Sequence, residues 1–200
     1  AKCLASRYRP VGRRLAIVTN GGGPGVLAAD WITEIGLDLG RLTPEQALQL
    51  KPLLPAQATL SDLLDLSEEA GPEHFRAAID AASKASQIDG ILAIYSPKVG
   101  MDGDAVANAI ASMSRKASKP LLTCWMGDAS VGSSRKLLTD AVIPTFRTPE
   151  AAVGAFGNLA SFYQNQQLLQ QTPPPLSDLS LPDVEGARLL IESVLAERRK

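Results

Sequence analysis

The 200-residue chain has one histidine, two cysteines and no apolar run near the ~20 residues that a membrane span requires. Each shortage removes a class of chemistry. His74 stands alone in "GPEHFRAAID", at the start of an ordinary helical pattern. Ser-His-Asp, multi-histidine zinc and HExxH readings therefore fall away. Cys3 and Cys124 lie far apart and are too few for a metal cage, so they read as two free thiols. No single charge sign dominates. Lys plus Arg is 20 against 21 for Asp plus Glu, a formal charge of −1, which gives no broad field toward nucleic acid or a membrane surface. The N-terminal "AKCLASRYRPVGRR" lacks the charged-then-apolar order of a signal peptide, so the expectation is a cytoplasmic protein. The chain starts without Met and ends within a helical pattern, which reads as a segment of something longer.

What is present is an alternation. Leu15 to Thr19, Gly90 to Ser96 and Pro120 to Met126 are apolar runs with strand character, and "LDLGRL" and "VIPTF" are weaker ones. Runs apolar on both faces suit a parallel sheet covered by helices on each side. Helical patterns lie between them: 24–36 with Gly36 as stop signal, 44–54 opened by Thr43 and Pro44, 72–86, 103–118, 129–141 and 148–171. The alternation predicts βαβ crossovers in a flavodoxin-like, three-layer, doubly wound and mainly parallel α/β sheet over residues 12–171. Residues 1–11 read as the end of a preceding segment. Residues 172–200, with "TPPPLSDLSLPD", read as a Pro-rich linker and the helix that opens a following region.

The stretch "TNGGGPGVLAAD" follows the first strand pattern directly. A glycine-rich turn feeding a helix presents unpaired N–H groups at the positive end of the helix dipole, and glycine permits φ > 0 and close approach of an anion. Pro24 suits the first helical position. "GGGPG" matches neither GxGxxG nor a Walker loop, and no Lys follows it. Pattern alone leaves open a tight βα turn or a phosphoryl cradle.

Several stretches in one order, "GRRLAIVTNGGGPGVLAADWITEIGLDL", "LLDL", "DGILAIYSP", "KPLLTCWMG" and "AVIPTFRTPEAAVGAFGNLASFYQNQQLLQQTP", resemble the NDP-forming (ADP-forming) acyl-CoA synthetases. The match is to their succinyl-CoA-ligase-like flavodoxin domain, also found in the synthetase-like half of bacterial protein lysine acetyltransferases, and covers residues 12 to 173. The resemblance implies a larger enzyme in which a phosphohistidine loop shuttles phosphate between an acyl-CoA site and a nucleotide site in an ATP-grasp domain. The phosphate rests there on two glycine-led helix N-termini. Asn20, Gly21, Gly22, Gly23 and Gly25 are carried over to one of these, and no catalytic residue is assigned to this segment. CoA, ADP or ATP and Mg are implied for the full-length enzyme, none of them held tightly by this part. The implied partners are the upstream phosphohistidine and CoA-binding domains and the downstream ATP-grasp domain, with homo-oligomerisation open. The family's histidine lies in a Ser-His-Thr-Gly-type stretch upstream, so His74 is not its counterpart. The alternative role is a non-catalytic acyl-CoA-sensing module of a fused acetyltransferase. An FMN site is disfavoured, since the Ser/Thr-rich phosphate loop is absent.

Other residues are weighed both ways. "SDLLDL" falls where the family has Asn-Pro-x-Asp-Leu: Asp65 and Leu66 match, whereas Asp62 and Leu63 depart. Asp65 lines the cleft mouth or closes an Asx turn, the turn being favoured. Lys98, on the loop "YSPKVGMDGD", is a candidate for a phosphate or for the CoA pyrophosphate, against a solvated surface lysine. Cys124 reads as buried and inert for want of a base. Arg147 belongs to a helix start capped by Thr148.

Overall fold

The computed structural model describes residues 10–114, 118–171 and 183–196. The chain divides into two compact units, Ala1–Gln167 and Leu168–Lys200. Cys3 and the Pro-rich stretch 172–182 lie outside the described residues.

Along the chain the elements run β1 (Arg14–Thr19), α1 (Gly22–Glu34), β2 (Asp38–Leu39), α2 (Pro44–Leu50), β3 (Thr59–Leu60), β4 (Leu64–Asp65), α3 (Pro72–Lys84), β5 (Gly90–Tyr95), α4 (Gly103–Ser114), β6 (Leu121–Trp125), α5 (Gly132–Asp140), β7 (Thr145–Phe146) and α6 (Pro149–Leu169), the last two residues of α6 falling in the second unit. The strand order is β3-β4-β1-β5-β6-β7, with β2 paired beside the start of β1. Every pairing is parallel except β3 with β4. This is the α/β, mainly parallel three-layer sheet that the alternation predicts.

Side chains along β1 and β5 divide between two cores, as the two-residue period of a strand requires. Leu15, Ile17, Leu92 and Ile94 pack with α1 and α6 through Ala28, Ile32, Val153 and Phe156. Ala16, Val18, Ile91 and Ala93 face α2 to α5, packing with Leu50, Phe75, Ile110 and Leu138. The α6 helix approaches closely because its glycines leave room. A Cβ on Gly157 would lie 3.0 Å from Ile35 Cδ1, and Phe156 covers Gly90 of β5.

Three expectations are corrected. "LDLGRL" and "VIPTF" each contribute only two paired residues, and the short antiparallel pair β3 and β4 was not foreseen. The helix from Pro44 gives way to a 3₁₀ turn at Lys51–Leu53, where Pro52 has no N–H to donate. The stretch from Ala129 begins as a 3₁₀ turn and becomes helical only at Gly132.

Two helices end alike with different residues. After α1, Gly36 sits at φ +70°, and the Leu37 N–H donates to Ile32 O at 2.9 Å. After α5, the same Schellman geometry places Val142 at φ +61°, 75% exposed, with the Ile143 N–H donating to Leu138 O. A β-branched residue in the left-handed region is strained. Val142→Gly is expected to raise unfolding stability by about 1 kcal/mol in a urea titration; a destabilised variant would refute the strain.

In the second unit, α7 (Val184–Ala196) starts with the Gly186 N–H donating to Asp183 Oδ1 and carries an Arg188 to Glu192 pair at 3.1 Å. Leu189, Leu190, Ile191 and Leu195 on it are exposed. Among the described residues of the whole chain, no helix is long and apolar enough to cross a membrane.

Candidate functional site

The chain leaves β1 toward the layer of α1 and α6, while β4 and β5, on either side of β1, lead to α3 and α4 on the opposite face. Where neighbouring connections part in this way, a crevice opens at the carboxyl ends of the strands, the usual ligand position in open α/β sheets. The glycine turn stands on one rim of it.

That turn is fixed by its own side chains. Thr19 Oγ1 accepts from the Gly21 N–H at 3.0 Å and donates to Gly21 O at 2.9 Å. Asn20 is wholly buried: its amide donates to Ser96 O at 2.9 Å, and its carbonyl accepts from the Ser96 N–H at 2.8 Å. This two-way clasp ties the end of β1 to the end of β5. The Gly25 N–H donates to Gly21 O as the first helical bond, at 3.3 Å.

Of the four glycines assigned to the cradle from the sequence, only Gly22 and Gly23 thus retain N–H groups without an acceptor among the described residues. Asn20 contributes by holding the turn, and its side-chain groups are already engaged. The conformational reason given for the glycines also needs correction. Gly21 is extended at φ −146°, ψ +113°, and none of the four turn glycines has positive φ. Space is what Gly21 and Gly25 provide: a Cβ on Gly21 would stand 2.8 Å from Ser96 Oγ, and one on Gly25 would stand 3.0 Å from Thr19 Cγ2. A Cβ on Gly23 would meet nothing within 4 Å. Pro24 is the third helical residue, not the first, since α1 begins at Gly22.

The start of α1 carries neither a side-chain cap nor an acidic residue in its first turn. By contrast α2 is capped by Thr43 and α6 by Thr148 Oγ1. The α3 and α5 helices also start without a side-chain cap, although at α3 His74 Nδ1 accepts from the N-cap Gly71 N–H at 3.0 Å and Glu73 lies in the first turn. Two free amides and the positive end of a 13-residue helix dipole therefore face the crevice. That arrangement suits a phosphate or carboxylate oxygen.

No protein-family profile matches the chain. Individual proteins do. The ADP-forming acetate–CoA ligase I of Archaeoglobus fulgidus is 33% identical over 159 residues, which cover 80% of this chain and 22% of that protein. The alpha subunit of the ADP-forming acetate–CoA ligase II of Pyrococcus furiosus is 31% identical over 150 residues, covering 73% and 33% of the two chains. Among solved structures, the dinucleotide-forming acetyl-coenzyme A synthetase 1 of Ca. Korarchaeum cryptofilum, in complex with phosphate and ADP, superposes with a TM-score of 0.76 at 26% identity, over 86% of this chain and 38% of that one. The chain belongs to the ADP-forming acyl-CoA synthetase family. It spans about a fifth to a third of the length of these curated relatives.

In this acyl-CoA synthetase segment the remaining candidates fall into two groups. Asp65, at the end of β4, joins the turn: its Oδ2 lies 3.0 Å from where a Cβ on Gly22 would stand. Its Oδ1 accepts from the Ser67 N–H at 3.0 Å, an Asx turn that holds Ser67 at φ +71°. Lys98 lies on the loop after β5 and is paired with Glu68 at 2.7 Å. Ser96 and Glu68 had no sequence signal, because their roles depend on β4, β1 and β5 being neighbours. The hydroxyls of Ser67 and Ser96 are buried with no hydrogen-bond partner among the described residues.

Other groups have local explanations. Burial, first of all, pushes the Cys124 thiol up to about 12, so it is protonated at neutral pH and not a nucleophile. Trp125 is buried and stacks on Tyr95 at 5.1 Å. Arg147 pairs with Asp128 at 3.6 Å, both side chains largely exposed.

Proposed function

We propose that this segment acts within a longer ADP-forming acyl-CoA synthetase by offering the start of α1 to a phosphoryl group carried on a histidine elsewhere in the protein. The observation that carries this reading is the uncapped helix start, where Gly22 and Gly23 hold two unengaged amides in a crevice. Donors fixed in place before the group arrives stabilise its charge without reorganisation. The overall reaction converts acyl-CoA, ADP and phosphate reversibly into the acid, CoA and ATP, with Mg accompanying the nucleotide. On this reading residues 12–171 form the phosphate-cradle domain and the region from 172 leads to an ATP-grasp domain. The phosphohistidine and CoA-binding domains are its other neighbours, and the enzyme works in the cytoplasm. Asp65 and Lys98 line the same crevice.

The test uses the full-length protein. Incubation with γ-labelled ATP, and separately with acetyl-CoA and labelled phosphate, is expected to give the same acid-labile protein label, discharged by ADP. Absence of label from both donors would remove the catalytic reading and favour the acyl-CoA-sensing one.

A further inference from the structure

The crevice has a second rim, on the α3 and α4 side. Glu68 lies on the loop after β4 and Lys98 on the loop after β5, and their side chains meet at 2.7 Å. Since β1 runs between those strands, this ion pair joins the two loops that flank the glycine turn. The same loops and strand ends supply the atoms next to the glycines, Asp65 Oδ2 beside Gly22 and Ser96 Oγ beside Gly21. Lys98 is the single cation in the two loops, 66–71 and 96–102, which also carry Glu68, Glu69 and Asp102. The pair is exposed, at 38% for the Lys98 side chain and 71% for that of Glu68, so it is weak and readily exchanged.

We propose that Glu68 is a built-in competitor for the anion: it holds Lys98 while the crevice is empty and releases it to an arriving phosphoryl group. The proposal rests on the phosphate reading of the site. A doubly charged phosphoryl group attracts an ammonium more strongly than one carboxylate does, so the exchange runs toward the ligand. Moving Lys98 also unties the β4 loop from the β5 loop. Occupancy of the cradle is thereby linked to the freedom of both rims.

Inorganic phosphate is titrated into the full-length protein by calorimetry at fixed pH and ionic strength. Glu68→Gln is expected to tighten binding by about 3- to 5-fold, the range of an exposed pair, and Lys98→Met to weaken it by about 10-fold. In the Lys98→Met background, Glu68→Gln is expected to change nothing. If it tightens binding there equally, Glu68 acts by plain repulsion and the exchange is wrong. An unchanged affinity for Glu68→Gln alone also overturns it. The cradle is checked separately with Gly22→Pro. Loss of phosphate binding in that variant upholds the cradle even when the Glu68 result is negative. Intact binding in it, or no binding by the unaltered protein, overturns the phosphate reading and the exchange together.

Discussion

On the phosphoryl-cradle reading, Gly22→Pro in the full-length protein is expected to lower phosphoryl transfer by about 10²- to 10³-fold, the loss typical of deleting one preorganised donor. Proline removes one of the two free amides and little else. Gly22 is the first helical residue, where a missing N–H breaks no intrahelical bond and φ near −65° is already right. Gly21 before it is extended, the conformation favoured ahead of proline. A new Cβ would meet only Asp65 Oδ2, at 3.0 Å. Gly22→Ala introduces that same contact while keeping the N–H, so it isolates the amide and is expected to retain activity within about 10-fold. Equal losses in both variants would assign the effect to crowding of Asp65. Full activity in Gly22→Pro would show that the amide contributes nothing.

The largest expected stability effect lies elsewhere. Gly90→Ala is expected to cost about 3 kcal/mol in chemical denaturation, at the upper end of ordinary overpacking. Its Cβ would stand 2.3 Å from Phe156 Cε2, a contact no rotamer of alanine avoids. Gly90 is on β5 at the centre of the sheet and Phe156 is wholly buried on α6, so neither backbone yields cheaply. Phe156→Leu costs stability alone but is expected to recover about 1 kcal/mol or more of the Gly90→Ala loss, since residues in contact couple. Additive losses in the double variant would mean that the helix shifts to relieve the clash.

These two glycines show what was legible in the sequence. Long apolar runs identified β1, β5 and β6, and proline with a preceding Thr marked the starts of α2 and α6, because those signals are local. The two-residue strands β2, β3, β4 and β7 carry too few residues for a period to show. "GGGPG" announced a turn, yet its four glycines have separate reasons that only three-dimensional neighbours reveal. Gly21 makes room for Ser96 and Gly25 for Thr19, whereas Gly23 faces open space. Asn20 was assigned to the ligand on resemblance. Its burial against Ser96, 76 positions away, follows from strand order and has no mark in either stretch. Glu68 was missed for the same reason: an ordinary surface glutamate becomes relevant only once β4 and β5 are known to bracket β1.

The exposed donors at the start of α1 are main-chain amides, which neither gain nor lose protons over the range in which enzymes work. A pocket of this kind keeps the same donor pattern from acid to alkaline solution. On the phosphoryl-cradle reading, protonation of the guest then governs its occupancy, because a phosphoryl group passes from one negative charge to two as the pH rises. The acid limb of the full-length protein's phosphate-binding profile is expected to follow that ionisation and to persist when the rim side chains are exchanged for neutral ones.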